Sequence, residues 1–182
     1  EGGAATTFLH NELKIGDQVT FTGPLGRFFV RKSAPEPILF FAGGSGLSSP
    51  KAMILDLLAE GDRRPITLLH GARTQEELYY CDLFTQLADQ YPNFSYCAVL
   101  SQAPTDSSWT GARGCVHEFA NEYFEQHFSG HKAYLCGPPP MIDACISTLM
   151  QGRLFEEHIF MERFFTGADG AEPVRRSALF KK

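Results

Sequence analysis

Phe40-Phe41-Ala42-Gly43-Gly44-Ser45-Gly46-Leu47-Ser48-Ser49-Pro50 joins an apolar run, 37–42, to a helical pattern through three glycines in four residues. Beyond it, Met53, Ile54, Leu57 and Leu58 are spaced to fill one face of a helix. Strand, glycine-rich turn and helix in that order are how α/β proteins aim backbone N–H groups and a helix N-terminus at a phosphate. Glycines there remove the Cβ atoms that would block the approach and permit positive φ. Ser45 and Ser48 add hydroxyl donors. No complete motif is met. The dinucleotide fingerprint needs a third glycine where Ser49 stands, the Gly-Lys-Ser/Thr of a phosphate loop is absent, and Leu47 occupies the glycine position of a nucleophile elbow centred on Ser45. Taken alone, the turn could equally serve only to let the helix pack closely on its sheet.

The rest of the chain narrows the choice. At 182 residues it holds one ordinary domain, or a domain and a piece of another. A hydrophobic content of 43% with 20% charged residues supports a full core, and a net charge of −5 argues against non-specific nucleic-acid binding. No apolar run approaches the roughly 20 residues that span a bilayer. The five cysteines, 81, 97, 115, 136 and 145, form no C-x-x-C pair and lack iron–sulfur spacing, which suggests free thiols of a reducing, cytoplasmic compartment. The six histidines show no metal-ligand pairing.

Read in order, Gly2-Gly3 opens a turn before a short helix carrying Thr6, Phe8 and Leu9. Val19 with Phe21, and Phe28-Phe29-Val30, read as two strands around Gly23-Pro24-Leu25-Gly26. Residues 33–37 read as a linker. From there the rhythm alternates: strands at 38–42, 66–70, 94–100, 133–136 and 158–160, and helices at 50–60, 76–90, 116–128 and 141–150. A loop rich in Ser, Thr, Pro and Gly fills 101–114. This alternation predicts an α/β fold, a five-stranded, parallel, doubly wound sheet covered on both faces.

Ligands of such sheets sit at the carboxyl ends of the strands. That edge receives Cys136-Gly137-Pro138 from the fourth strand, with Met141 close behind, and Glu162-Arg163-Phe164 from the fifth. Prolines suit the first turn of the helix that follows. Cys136 alone could be a small core hydrophobe, and the aromatics after the last strand could be core.

Together, Gly43-Gly44-Ser45-Gly46-Leu47, Cys136-Gly137-Pro138 and Glu162-Arg163-Phe164 resemble, in order and setting, the ferredoxin–NADP reductase superfamily. Gly71-Ala72-Arg73 and the stretches 135–143 and 149–164 extend the resemblance to the reductase components of bacterial multicomponent phenol and toluene monooxygenases. It covers nearly the whole chain. The resemblance implies a flavin enzyme that takes a hydride from NADH. It places the glycine loop under the nicotinamide nucleotide, Cys136 beside the nicotinamide ring, Glu162 near the flavin, and Phe164 as the aromatic covering the isoalloxazine. Gly2, Gly3 and Thr6 match a turn that binds the FAD pyrophosphate.

The same resemblance implies an NAD-binding domain over 35–182, preceded in 1–34 by the C-terminal end of an FAD-binding β-barrel. The Arg-x-Tyr-Ser flavin grip and the 2Fe–2S domain expected of the subfamily are not in this sequence, so the chain reads as a fragment. Electrons would pass from NADH to FAD, to the 2Fe–2S domain, and on to a diiron hydroxylase. The alternatives are a nucleotide-binding module with no activity of its own, or a reductase serving a ring-hydroxylating dioxygenase or a haem domain. The usual acidic ribose ligand about 20 residues past the glycines is not evident. Arg73 taken alone could suit a 2′-phosphate, but Ser101-Gln102 stands where NADP-using relatives carry Ser-Arg, which favours NADH. A Gly46→Val change is expected to weaken NADH binding by blocking the pyrophosphate's approach.

Overall fold

In a computed structural model, which describes residues 3–23, 25–105 and 107–163, a parallel sheet divides two helical layers. The strands are β1 (Ile38–Gly43), β2 (Ile66–Ala72), β3 (Phe94–Leu100), β4 (Ala112–Arg113), β5 (Lys132–Gly137) and β6 (Ile159–Arg163). Their order across the sheet is β4-β3-β2-β1-β5-β6. The helices are α1 (Ala4–Thr7), α2 (Ser48–Ala59), α3 (Cys81–Gln90), α4 (Val116–Tyr123) and α5 (Pro139–Gln151).

Strand burial follows position in the sheet. The central strands β1 and β5 are buried at every residue, whereas β6 at one edge buries only Ile159. Side chains of a strand alternate between faces, so β1 feeds both cores at once. Ile38, Phe40 and Ala42 join Ile54, Leu57 and Leu58 of α2 and Phe84 of α3. Leu39 and Phe41 join Val116 and Ala120 of α4 and Ile142, Cys145, Ile146 and Leu149 of α5. The continuous apolar runs are therefore strands covered on both faces.

Four expectations are corrected. The sheet has six strands among the described residues, because Ala112–Arg113 pairs with Val99–Leu100 inside the stretch read as a loop. Two residues are too few to show a period. The helix expected over 76–90 is broken: Gln75–Glu77 forms a 3-10 turn, Tyr80 adopts a left-handed φ of 56°, and α3 starts at Cys81. At that break Lys51 Nζ of α2 lies 3.9 Å from the centroid of the exposed Tyr80 ring. The helix expected over 116–128 stops at Tyr123, after which Glu125 and Gln126 take positive φ and Phe128 turns back into the core.

The strands expected around Val19–Phe21 and Phe28–Val30 do not form among the described residues. Ladder pairing needs a partner strand, and side-chain and core contacts begin only at the end of this stretch. The N–H of Arg31 donates to the Tyr134 hydroxyl at 2.8 Å, Val30 enters the core beside α2, and Arg64 donates to the carbonyl of Ala34 at 2.6 Å. Residues 30–34 are thus fastened to the sheet.

Candidate dinucleotide site

The strand order reverses at β1, whose two neighbours are β2 and β5. A crevice opens outside the carboxyl ends at such a point, where backbone N–H groups are free of ladder pairing. Here Gly43 ends β1, Gly71-Ala72 ends β2, and Gly137 ends β5. A cavity of about 670 Å³ runs along this edge. Gly43, Gly44, Pro138 and Met141 line it at the β1–β5 end, and Gly71, Arg73 and Ser101 at the β2–β3 end. Seven of the residues singled out from sequence therefore share one cavity.

The glycine turn works differently from the simplest reading of its composition. Gly44 has φ +54°, and a Cβ built there would meet nothing within 4 Å. Its requirement is conformational. Gly46 is the reverse case: a Cβ would lie 2.4 Å from the carbonyl oxygen of Cys136 and 2.6 Å from the nitrogen of Gly137. Gly46 lets the turn seat directly on the end of β5, so its bareness serves the protein's own backbone and only through it the cavity. Leu47 points into the core with α2, and Ser45 is exposed. From this turn, a 3-10 stretch over Gly44–Leu47, α2 starts at Ser48.

Opposite lies a second group. Cys136 pairs with Glu162 across β5 and β6. The Glu162 Oε2 accepts from the Ser49 hydroxyl at 3.2 Å and lies 3.9 Å from the Cys136 sulfur. Cys136 is fully buried and does not line the cavity. Burial first, and then the Glu162 carboxylate, push that thiol up to about 12, so it stays protonated at neutral pH. Ser49 was legible only as the residue displacing a third glycine, and nothing in that reading gave it a partner. Arg163 completes the corner by donating to Asp143 of α5 at 2.6 Å.

The cavity also contains a carboxylate that the sequence reading missed. Glu77 accepts from the backbone N–H and the Nε of Arg73, each at 3.1 Å, and from Arg73 Nη2. The guanidinium beside it holds the Glu77 carboxyl below the usual carboxylate range. Gly3 and Thr6 lie elsewhere, exposed on α1, where the Thr6 hydroxyl donates to the Gly3 carbonyl at 3.1 Å. Gly2 and Phe164 lie outside the described residues. A smaller cavity of about 370 Å³ opens between Arg27, Arg31 and the β6 residues Phe160 and Glu162. No group of three or more metal-ligating side chains occurs among the described residues.

These features fit an adenine dinucleotide: a cavity of suitable size, glycines at a strand-to-helix turn, and polar groups spaced along the strand ends. Residues 40–146 match the family model described as "Oxidoreductase NAD-binding domain". The chain is 62% identical over its whole length to the phenol 2-monooxygenase reductase component DmpP of Pseudomonas sp. (strain CF600), covering 52% of that protein. It is 58% identical to the phenol hydroxylase P5 protein of Acinetobacter pittii, covering 51% of it. The chain thus spans about half the length of these relatives. Among solved structures, the Amycolatopsis cytochrome P450 reductase GcoB superposes with a TM-score of 0.78 at 30% identity, over 90% of this chain and 49% of that one. The chain belongs to the oxidoreductase NAD-binding domain family of the ferredoxin–NADP reductase superfamily.

Proposed function

We propose that this chain is the NADH-binding half of a reductase that feeds electrons to an aromatic monooxygenase. NADH would deliver a hydride to FAD, and electrons would go on through a 2Fe–2S domain to the diiron hydroxylase that oxidises phenol or a related arene, in the cytoplasm. The observation that supports this most is the meeting of two clusters at one strand edge: the glycine-lined cavity, and the Ser49–Glu162–Cys136 group beside it. The names of the two phenol hydroxylase relatives agree with it.

In this reading Gly44 presents open backbone to the pyrophosphate, beside Gly43, which lies close under Met141 and Pro138. Pro138 and Met141 line the same end, with Gly137 packed between Met141 and the Gly43 backbone. Gly71, Arg73 and Ser101 hold the adenosine end. Flavin and nicotinamide supply the redox chemistry when bound, and the protein's contribution is orientation and electrostatics. Ser49 fixes the Glu162 carboxylate, which favours a ring that turns cationic as it gives up hydride. Cys136, held as a neutral thiol, contributes bulk without a second negative charge. Phe164, two residues past Glu162, is the aromatic that covers the flavin.

Residues 1–34 are the end of the FAD-binding barrel, with Gly2, Gly3 and Thr6 as the flavin pyrophosphate turn. Phe21 and Leu25 are 86% and 84% exposed, which suits side chains that pack against the rest of such a barrel. The test has two arms. NADH titrated into this chain should change its fluorescence saturably. The chain joined to the remaining half of its relatives should be yellow and reduce an artificial electron acceptor with NADH. A chain that leaves NADH fluorescence unchanged, or a yellow full-length protein that does not oxidise NADH, would overturn the reading.

A further inference from the structure

We propose that Glu77 is the residue that restricts the cavity to dinucleotides without a 2′-phosphate, by holding Arg73 and by presenting its own carboxylate to the ribose. The inference rests on the NADH reading and adds a residue and a mechanism to it. Arg73 follows directly on the last residue of β2, and Glu77 is brought back to it by the 3-10 turn Gln75–Glu77. Both line the cavity at the end away from Gly43 and Gly44. In doubly wound sheets the end of the second strand is where the adenosine ribose is read, an acidic residue taking the 2′-hydroxyl and an arginine nearby taking a 2′-phosphate. This site contains both residue types, bound to each other.

The geometry decides which one acts. Glu77 takes three donors of Arg73: its backbone N–H, its Nε and its Nη2. A guanidinium engaged through a fork in this way has spent the face that would grip a phosphate. The side chains are 68% exposed for Arg73 and 35% for Glu77, and an ion pair so open to water adds little to stability. Its effect lies instead in the field at the cavity mouth. With the pair formed, that end offers no net positive charge to a 2′-phosphate dianion and places a carboxylate beside it. A ribose diol, by contrast, brings hydroxyl donors that a carboxylate can accept. Tyr79, half-exposed at the same end, adds a flat surface for the adenine.

The test compares 5′-ADP with 2′,5′-ADP by calorimetry on the chain and its Glu77→Gln and Glu77→Gln/Arg73→Gln variants. The unaltered chain should bind 5′-ADP at least tenfold more tightly than 2′,5′-ADP. Glu77→Gln should bind 2′,5′-ADP at least tenfold more tightly than the unaltered chain does, and lose a few-fold for 5′-ADP. The double variant should lose the gain, showing that the released Arg73 supplied it. If 5′-ADP binds but Glu77→Gln leaves the ratio of the two affinities unchanged, the role of Glu77 is refuted while the NADH reading stands. If neither nucleotide nor NADH binds the unaltered chain, the NADH reading fails and takes this inference with it.

Discussion

Gly46→Ala is the sharpest probe of how the glycine turn works. The added Cβ would lie 2.4 Å from the Cys136 carbonyl oxygen, about 0.9 Å short of the roughly 3.3 Å at which carbon and oxygen pack. Overpacking of a core costs about 1–3 kcal/mol when side chains can shift. Here the obstacle is backbone of β5, paired on one side with β1 and on the other with β6, so the upper end, about 3 kcal/mol, is expected. At a urea dependence of about 2 kcal/mol/M, that lowers the unfolding midpoint by about 1.5 M. Gly44→Ala is the control: its Cβ meets open space, and only the left-handed backbone opposes it, at roughly 1–2 kcal/mol. Urea unfolding followed by circular dichroism, with NADH titration of each folded variant, separates the two. A Gly46→Ala protein as stable as the parent but unable to bind NADH would refute the reasoning, since the glycine would then be facing the ligand.

Two further expectations concern buried polar groups. Ser49→Ala in the full-length reductase removes the hydroxyl that donates to Glu162 and should lower kcat about tenfold with KM for NADH nearly unchanged, since a hydrogen bond to a charged group contributes about 1.5–3 kcal/mol. Ser49→Thr should restore most of it, and an unaffected kcat in Ser49→Ala would remove Ser49 from the site. His70 is fully buried, with Nδ1 3.1 Å from the Tyr96 hydroxyl and Nε2 unpartnered among the described residues, and burial pushes its pKa from 6.5 to about 4. Above pH 6.5 the imidazole is neutral folded or unfolded; below it the unfolded chain takes up a proton that the folded one refuses. Stability should therefore fall as pH drops from 6.5 towards 4, by about 2 kcal/mol at pH 5. Urea midpoints at pH 7.5 and 5 measure it, and a His70→Gln variant with the same pH dependence would show that other groups are responsible.

The sheet and the edge where Gly43, Gly137 and Glu162 meet were legible because they depend on long apolar runs, and a run of six buried residues leaves a strong trace in sequence. What escaped is of another kind. Glu77 reaches Arg73 through one 3-10 turn ahead of a left-handed Tyr80, a break in the backbone beside which Lys51 of α2 lies. Helical spacing of Leu78, Leu83, Phe84 and Leu87 suggested continuity, but only Phe84 is buried. Ser49 was visible as a departure from a fingerprint, and its bond to a residue 113 positions away is a fact of strand order. The strands expected before residue 31 failed for a related reason, because amphipathic alternation shows that a segment can pair and not that a partner lies alongside it.

The segment leading into β1 sets where the nucleotide-binding unit can be cut. Val30 fills part of the core beside α2, the Arg31 N–H occupies the Tyr134 hydroxyl, and Arg64 grips the carbonyl of Ala34. A fragment starting at the composition change near Pro35 would take Val30 out of the core on the α2 face and unpair a phenol in the middle of β5. The recombinant unit that keeps its core starts ahead of Arg27, inside the stretch 1–34 expected from sequence to belong to another domain. For protein engineers, residues 27–34 therefore belong with the sheet, and any domain exchange should carry them along with it.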